Sequence, residues 1–547
     1  MKFFVPLLIC LLLCGCGGGG EEAPAVTPTP TPVPTPVVLH VCVDTEGSTI
    51  DPTYLSEPVP SELQSHLFEG LLRYAGGGSG ETVTDSVLCL GLAEAVECSD
   101  DGLTYRFLLR EDARWSDGVP VRSEDFVYAW RRLLSPPADA EMAHAVGREQ
   151  LYGVVKHAKE VAEGKLPADA LGVYGEGDRV LVVELERPCL WFPKLCAMAC
   201  MVPLRQDVIE AYGGDWTDEA HITVSGAYTI SQWVHDDYMR LQVNPYYYDS
   251  ENLGPDEIIW DFGQTQGADF AADVPAEAAD GSVAVAGTYY LYLNANGIRD
   301  WRIRAAMLLS VDREALAETI GDGARPAMGL VPRGIALTDG TVYAPQAAPM
   351  FVWAAGAYPQ YDLSTTTGRQ ALGAALADSA RGSGSLYSGF KVYYRFNESE
   401  VNRVVALQCK ADWEQVLGLQ VELVPMSLPS YEKQLRSNTF DVAYLSWLPD
   451  HDDQLSFLQI MRRGGANNHS GWGDVRYNEQ LTLAEGSLDA AARDLYLRRA
   501  EEMLYETERF AVCPLFWFGQ TYAAADGVYG IGHNAVNGYC FLYANKE

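Results

Sequence analysis

Segments with the hydrophobic pattern of β-strands alternate with segments of helical period along most of this 547-residue chain. Val38–Val43 is apolar at every position except His40 and is rich in β-branched residues, which predicts a buried strand. Ser123–Leu134 has two acidic residues in its first turn and apolar residues along one face, which predicts a helix with Ser123 as its N-cap. The same patterns predict strands at 105–109 and 180–185 and helices at 312–320, 401–417 and 490–508. Interleaved strands and helices indicate a mixed α/β fold.

The charge balance limits the partners that the chain can bind. Its 39 lysine and arginine residues against 74 aspartate and glutamate residues give a formal net charge of -35 at pH 7. A polyanion of this size is repelled by phosphate backbones and by anionic lipid, so nucleic acid is not expected as a partner. A hydrophobic fraction of 48% with 21% charged residues is typical of a folded globular protein.

The N-terminus carries the features of a secretory signal. Lys2 precedes an apolar run at 3–13, which is too short for a stable membrane helix, and small residues follow the run. The end of the run, LCGC at 13–16, resembles a bacterial lipobox, in which cleavage precedes a cysteine whose sulfur receives a diacylglyceryl group. Residues 1–15 are therefore expected to form a lipoprotein signal peptide, with Cys16 as the lipidation site. The alternative is an ordinary signal peptide that contains cysteines.

The composition changes abruptly after the signal peptide. Residues 16–37 are rich in glycine, threonine and proline, so they cannot bury a core, and their prolines favour an extended conformation. We expect this segment to be a tether that leads into a folded body. A lipid at Cys16 and a tether behind it predict an extracytoplasmic protein that is lipid-anchored to the bacterial cell membrane.

Cysteines and metal-ligand patterns indicate no cofactor. Of the 12 cysteines, nine follow residue 16, an odd number that cannot pair completely, so most are expected to be buried thiols. Cys196 and Cys200 could share a helix face but lack the partners of a zinc set. The run DHDD at 450–453 lacks the alternating spacing and central glycine of a calcium loop, so a solvated turn is expected there. The sequence predicts neither a cofactor nor a metal site.

Catalytic signatures are missing from the sequence. It contains no HExxH motif, no P-loop, no GxSxG elbow and no GxGxxG motif after a strand. The chain is therefore expected not to be an enzyme. Two alternatives stay open: a surface hydrolase, which would need a catalytic constellation, and a surface adhesin, which would bind no small ligand.

Short motifs stand in a defined order along the chain. They are LFEGL at 67–71, SDDGLTY at 99–105, WSDGVPV at 115–121, DFVYAWRR at 125–132, LGV at 171–173, GAY at 226–228, NPYYY at 244–248, RIRAA at 302–306, SVDRE at 310–314 and LGL at 417–419. Most of these residues are fold determinants, such as turn formers after an aromatic residue. The series resembles the oligopeptide-binding lipoproteins of bacterial ABC importers, the large solute-binding proteins of the peptide and nickel group. The resemblance runs from about residue 38 to the C-terminus.

The resemblance implies an α/β, two-lobed, periplasmic-binding-protein-like flytrap with an additional domain and a discontinuous first lobe. Carried onto this chain, the first lobe comprises 38–68, 188–287 and 513–547, the additional domain 69–187, and the second lobe 288–512. Ligand bound between the lobes would favour the closed state of a hinge equilibrium.

The resemblance also implies where a peptide would bind. In the family an extended peptide is held through its backbone as an added strand, and an aspartate three residues after a tryptophan binds its amine. On this chain Trp447 is that tryptophan and Asp450 is that aspartate. The backbone at Ser446, Trp447 and Leu448 would supply the strand pairing.

The first lobe is expected to contribute a second contact segment. EPVP at 57–60 resembles the family's short proline-containing ligand segment, which makes Glu57 and Val59 candidate ligand-binding residues. Tyr444 occupies a place where some relatives carry an arginine that can meet a ligand carboxylate. Recognition of a peptide C-terminus is therefore left open by the sequence.

Together these features predict a monomeric, extracytoplasmic receptor that captures short peptides and delivers them to the permease subunits of an ABC transporter. The alternative within the same fold is another ligand: a nickel chelate, a sugar or a signalling peptide.

Overall fold

The structure is a computed structural model. It describes residues 35–43, 46–47, 49–53, 61–75, 83–84, 87–135, 147–263, 265, 267–345, 347–449 and 451–547. Within these residues, 37–547 form one compact unit. None of the helices in the described part of the chain has the length and apolar character that crossing a membrane requires.

The described residues form 22 β-strands. They are β1 (Val38–Val43), β2 (Leu72–Tyr74), β3 (Val83–Thr84), β4 (Leu88–Leu90), β5 (Ala93–Cys98), β6 (Thr104–Leu109), β7 (Val173–Gly175), β8 (Val180–Glu184), β9 (Tyr228–Val234), β10 (Tyr238–Val243), β11 (Glu257–Phe262), β12 (Phe270–Ala272), β13 (Gly281–Leu293), β14 (Arg325–Pro326), β15 (Lys391–Asn397), β16 (Gln420–Met426), β17 (Val442–Trp447), β18 (Val512–Ala524), β19 (Val528–Tyr529), β20 (Gly532–Asn534), β21 (Gly538–Cys540) and β22 (Asn545–Lys546).

The same residues form 14 α-helices, with short 3₁₀ turns between some of them. The helices are α1 (Ser61–Leu67), α2 (Ser123–Leu134), α3 (Ala158–Ala162), α4 (Phe192–Leu195), α5 (Gln206–Tyr212), α6 (Trp301–Ser310), α7 (Arg313–Ile320), α8 (Pro349–Ala357), α9 (Thr366–Gly382), α10 (Glu400–Leu417), α11 (Leu428–Ser437), α12 (Gln454–Leu458), α13 (Val475–Gly486) and α14 (Ala490–Met503).

Eleven of the strands form one mixed sheet. Its order is β16-β15-β17-β13-β18-β12-β1-β11-β10-β9, and β14 pairs with β18 outside this path. β1 is parallel to β11 and β12, whereas β13 is antiparallel to β17 and β18. The helices between the parallel strands make this a mixed α/β fold, as the hydrophobic pattern predicts.

The two longest strands, β13 and β18, are neighbours in the middle of this order. They pair in three registers, 281–284 with 519–522, 288–289 with 516–517 and 290–292 with 512–514, and the stretch 285–287 between the first two registers is irregular. β17, β15 and β16 lie to one side of the pair, and β12, β1, β11, β10 and β9 lie to the other. The predicted lobe boundaries at residues 287 and 512 fall on these strands, and the division into lobes and an additional domain stays a prediction.

A separate four-stranded antiparallel sheet has the order β5-β6-β8-β7, and helix α2 lies against it. Trp130 of α2 is fully buried and donates its indole N–H to the backbone oxygen of Met201 at 3.1 Å. Trp115 is also fully buried and donates to Asp125 Oδ2 at 3.1 Å. Two of the motifs that carry the family resemblance are therefore fold determinants, as predicted.

The strands and helices predicted from hydrophobic period are present with small shifts at their ends. β1 and α2 have the predicted bounds, and the segments at 105–109, 180–185, 312–320 and 401–417 correspond to β6, β8, α7 and α10. The helix predicted to reach residue 508 ends at Met503. Glu508 and Phe510 have φ angles of 70° and 62°, a left-handed conformation that cannot continue a helix.

The N-cap prediction for α2 is wrong by one residue. Arg122 is the N-cap, and its backbone N–H donates to Asp125 Oδ2 at 2.8 Å. Ser123 is the first helical residue, and its hydroxyl donates to the backbone oxygen of Gly177 at 2.8 Å. The serine therefore connects α2 to the adjacent hairpin and does not cap the helix.

Candidate functional site

The end of β17 carries three of the predicted ligand-binding residues. Ser446 and Trp447 are the last two residues of this strand, and Leu448 follows directly. Ser446 is exposed, Leu448 is 60% exposed, and Trp447 is partly buried. The indole nitrogen of Trp447 is buried and has no hydrogen-bond partner among the described residues. The remaining predicted site residues lie outside the described residues, so their roles stay predictions: Asp450, Glu57, Val59 and Cys16.

One edge of β17 is paired along its whole length, whereas the other edge is mostly open. On the first edge, β17 is antiparallel to β13 over 442–447. On the second edge, β15 pairs only with Val442 and Ala443. Among the residues that the structure describes, no strand pairs with this second edge at 444–447. The open backbone groups of such an edge can pair with an extended peptide.

A stack of aromatic rings runs from β18 across β13 and β17 to α11. The Tyr444 ring lies between those of Tyr289 and Tyr431, with centroids 5.2 Å apart and planes 14° apart in both pairs. Phe516 extends the stack from β18, with its centroid 4.8 Å from that of Tyr289. Tyr431 also donates its hydroxyl to the backbone oxygen of Tyr444. The stack therefore occupies the edge at Tyr444 and leaves 445–447 accessible.

Tyr444 itself has a structural role. Burial raises the pKa of its hydroxyl, which forms a hydrogen bond to Asn397 Oδ1. The side chain is thus neutral and is held inside the aromatic stack. It cannot replace the arginine of some relatives as a partner for a ligand carboxylate.

Gly287 brings β13, β17 and β18 together beside this open edge. A Cβ added at Gly287 would lie 2.1 Å from Phe518 Cδ2 and 2.7 Å from Leu448 Cδ2. The close approach of these side chains to the backbone of β13 therefore requires glycine. The sequence reasoning missed Gly287 and Phe518, because the contact joins strands that are distant along the chain. The aromatic run at 516–518 was the available signal.

The acidic run that follows the site is buried, which corrects the solvated turn expected at 450–453. The described residues of this run include Asp452 and Asp453, both with 0% exposure. Asp453 Oδ1 and Oδ2 accept hydrogen bonds from the two terminal guanidinium nitrogens of Arg493 at 2.8 and 2.9 Å. Asp452 Oδ1 accepts a hydrogen bond from the backbone of Ala336 at 2.6 Å. The carboxylates are buried because partners distant in sequence satisfy them.

Two further groups surround Asp453. Lys194 of α4 places its Nζ 3.4 Å from Asp453 Oδ2 and donates to the backbone oxygens of 336 and 337 at 2.9 and 3.0 Å. The guanidinium of Arg493 lies over the Trp191 ring, 4.7 Å from its centroid. Burial alone would raise the pKa of Asp453, but the charges of Arg493 and Lys194 hold this pKa well below its ordinary value. A buried ionic cluster thus anchors the segment directly after the site.

His451 lies in the same turn and is 3% exposed. Neither ring nitrogen has a hydrogen-bond partner within the described part of the chain. Burial lowers the pKa of His451 to about 4, so its imidazole is neutral at pH 7. Arg493 and Lys194 pair with the charge of Asp453. Because the turn is buried and this charge is paired, we interpret the turn as a structural element of the fold.

Comparison with protein families and curated proteins gives matches over most of the chain. The model described as bacterial extracellular solute-binding proteins, family 5 Middle, matches residues 89–469. The chain is 25% identical over 521 residues to the oligopeptide-binding protein OppA of Bacillus subtilis (strain 168), and the alignment covers 90% of each protein. It is also 25% identical over 494 residues to the probable deoxycholate-binding periplasmic protein YgiS of Escherichia coli (strain K12), and that alignment covers 86% of each protein.

Comparison with solved structures identifies the fold. The unliganded open form of MppA, a periplasmic murein tripeptide binding protein, has a TM-score of 0.77 at 22% sequence identity, over 94% of this chain and 99% of that chain. At this identity the likeness concerns the fold alone. It confirms the predicted fold class, the two-lobed α/β fold of periplasmic binding proteins.

Proposed function

The chain belongs to family 5 of the bacterial extracellular solute-binding proteins, and from this premise we propose that it captures short peptides and delivers them to the permease of an ABC transporter. The observation that supports a peptide as the ligand is the open edge of β17 at 445–447. A peptide that added itself to this edge would be held by backbone hydrogen bonds. The name of the relative OppA, an oligopeptide-binding protein, supports the same ligand class.

Backbone pairing suits a receptor for peptides of varied sequence, because it does not depend on side-chain identity. The side chains around the open edge add weak and general contacts. Leu448 and Phe518 present apolar surface, and Trp447 has an indole donor without a partner in the described residues. We infer that affinity comes from the ligand backbone and that the side chains tune it.

The ends of the peptide need separate contacts. We propose that the Asp450 carboxylate binds the peptide amine, since Asp450 follows Trp447 at the family spacing of three residues. Glu57 and Val59 are proposed to contact the peptide from the first lobe. In this arrangement the ligand bridges segments on both sides of the hinge, which favours the closed state.

The proposal includes the location of the protein. Cys16 is proposed to carry the lipid anchor, and residues 16–37 to form the tether at the outer face of the cell membrane. The folded body would act as a monomer and present its ligand to the permease subunits. The lobes at 38–68, 188–287 and 513–547 and at 288–512, with the additional domain at 69–187, are the rigid bodies proposed to move about β13 and β18.

A second candidate ligand is a rigid amphipathic acid of the bile-acid type. The observation that favours it is an apolar surface beside Gly287. Leu448, which is 60% exposed, and Phe518 both approach Gly287 there. The name of the relative YgiS, a probable deoxycholate-binding protein, makes the same ligand class worth testing. Mass spectrometry of ligands retained by the purified protein, followed by competition between trialanine and deoxycholate, discriminates the two candidates.

The peptide proposal is tested most directly at Asp450. Removing one partner of a desolvated charge pair costs about 2–5 kcal/mol, so Asp450→Asn should weaken binding of free trialanine about 30-fold or more. N-acetylated trialanine lacks the cationic amine, so it should bind poorly to the wild type and lose little more in the variant. Titration calorimetry of both peptides against both proteins closes a double-mutant cycle. Equal losses for free and acetylated peptide would refute the amine contact.

A further inference from the structure

A partly open cavity is lined by residues of α1, β2, β20 and β21. Its volume is about 90 Å³, several times the roughly 10–15 Å³ that one water molecule requires. Every lining residue in the described part of the chain belongs to 64–75, 197–202 or 533–542. The apolar side chains that line it include Phe68, Leu72, Met198 and Val202. A mostly apolar lining with a few polar groups is typical of small-molecule sites.

Three buried side chains that line the cavity carry polar atoms without a hydrogen-bond partner in the described residues. Gln64, His533 and Tyr539 are only 2%, 1% and 2% exposed. Both amide atoms of Gln64, both ring nitrogens of His533 and the Tyr539 hydroxyl lack a hydrogen-bond partner within the described residues. Buried polar atoms are almost always satisfied in folded proteins, so five such atoms around one cavity indicate an occupant that hydrogen-bonds to them.

The cavity is electrically neutral. Glu69 and Arg73 both line it, but they form an ion pair with each other, with Oε1 and Nε 3.3 Å apart. Burial lowers the pKa of His533 to about 4, so its imidazole has one N–H donor and one acceptor at pH 7. A charged guest would lose its hydration without finding an opposite charge. The cavity therefore selects against charged groups.

One backbone hydrogen bond links a cavity-lining segment to the strand beside the proposed ligand site. Ala535 follows directly on β20, which lines the cavity, and its backbone oxygen accepts a hydrogen bond from the backbone N–H of Ala286 at 2.7 Å. The next residue, Gly287, lies against Leu448. Ala286, which holds this loop, is thus the neighbour of the residue that Leu448 approaches.

We propose that this cavity binds an uncharged group that both donates and accepts hydrogen bonds, a carboxamide or a hydroxyl, of the captured solute. For a peptide this group is the side chain of serine, threonine, asparagine or glutamine, an assignment that rests on the function proposed above. Gln64, His533 and Tyr539 then determine specificity. A free small amide would satisfy the same atoms, so the test includes one.

The test measures the affinity of tripeptides with glutamine, methionine or glutamate at each position in turn and alanine elsewhere. At one position the peptide with glutamine should bind about tenfold tighter than the peptides with methionine or glutamate. A site built for hydrogen bonds rejects an analogue that lacks them. Tyr539→Phe and Gln64→Met remove only atoms without partners, so both variants should fold, which near-ultraviolet circular dichroism checks. Each should reduce the preference for glutamine at least threefold.

Tyr505→Phe is the matched control. The Tyr505 hydroxyl is also fully buried and without a hydrogen-bond partner in the described residues, but Tyr505 does not line the cavity. This variant should leave the glutamine preference unchanged. An equal loss in Tyr505→Phe and Tyr539→Phe would overturn the assignment.

Propionamide without peptide is the second arm. If propionamide binds and Tyr539→Phe weakens this binding, the cavity is a site for a free amide. This result would hold even if no tripeptide binds and the proposed function fails. Tripeptides that bind with no positional preference, in a protein that does not bind propionamide, overturn the inference and leave peptide capture intact. Absence of binding in both arms, with only water in the cavity, overturns both proposals.

Discussion

Asp453 and Arg493 show how this protein keeps a charge in its interior. Both side chains are 1% exposed, and the guanidinium donates to both carboxylate oxygens. A buried ion pair adds little net stability relative to an apolar pair, but loss of one partner leaves a charge without hydration. Arg403 and Glu398 form a solvent-exposed ion pair, with side chains that are 56% and 54% exposed.

We expect Arg493→Met to lower the free energy of unfolding by about 3–5 kcal/mol, because it leaves Asp453 buried beside Lys194 alone. Arg403→Met is the matched control, and it should cost less than about 1 kcal/mol. Urea unfolding followed by circular dichroism measures both changes. Similar small effects of the two substitutions would contradict the assigned role of the buried cluster.

Three buried histidines make the folded state sensitive to acid. Burial lowers the pKa of His66, His451 and His533 to about 4 each, from an ordinary value of 6.5. Between these values the unfolded chain binds one more proton at each histidine, so stability is lost as the pH falls. Glu501 acts oppositely, because burial raises its pKa to about 7 and the folded state holds its proton. Over these four groups, the unfolded chain binds two protons more than the folded state.

These four groups should therefore lower the free energy of unfolding by about 2.7 kcal/mol for each pH unit of acidification between pH 6.5 and 4.5. Urea titrations at four pH values across this window measure the slope. His451→Phe removes one of the three protons and should reduce the slope by about 1.4 kcal/mol per pH unit. His235→Phe, at an exposed position, is the control. A slope that His451→Phe leaves unchanged would rule out this origin.

The candidate site depends on how three strands meet. β13 gives β17 its paired edge, Tyr431 of the aromatic stack binds the backbone oxygen of Tyr444 on β17, and Gly287 lets Leu448 and Phe518 approach the backbone. No single strand contains the site. Its geometry follows from the register in which β13 pairs with β17 and β18.

Gly287→Ala should disturb the packing of Leu448 and Phe518 against β13. The added Cβ would overlap Phe518 and Leu448, and overpacking of this kind costs about 1–3 kcal/mol. Because Leu448 must then move at the end of the open edge, affinity for trialanine should fall by about tenfold. Gly356→Ala in α8 is the control, since a Cβ there meets no atom within 4 Å and alanine favours a helix. Calorimetry and urea unfolding separate the two effects.

The sequence predicts elements well where the information is local. β1 and α2 have the predicted bounds because their hydrophobic period and first-turn residues lie within the segment. The contact of Gly287 with Phe518 could not be predicted, since it depends on the pairing of β13 with β18. The burial of 451–453 was missed because the compensating cations, Lys194 and Arg493, are distant along the chain.

At the scale of the whole molecule, β13 and β18 are the strands through which the two sides of the main sheet are joined in the described residues. The irregular stretch at 285–287 lies within β13, beside the candidate site. Strands that absorb a small change in backbone angle at such a point can serve as a hinge. The proposed function needs this motion, because a peptide bound as proposed would bridge both sides.

Saturating trialanine should therefore reduce the radius of gyration measured by small-angle X-ray scattering. Ligand contacts on both sides of the hinge favour the closed state, in proportion to the difference in affinity between the two states. N-acetylated trialanine at the same concentration is the control and should change the scattering less. Unchanged scattering and unchanged tryptophan fluorescence, at a concentration where calorimetry detects binding, would contradict closure.

The position of β18 in the sheet also has a consequence for biogenesis. β18 lies between β12 and β13, yet β13 ends at residue 293 and β18 begins at residue 512. The main sheet therefore cannot be completed until the ribosome has made residues 512–524. Pairing over such sequence separation is intrinsically slow. A nascent chain that stays unfolded until late in its synthesis is easier to thread through a translocation channel before its core forms.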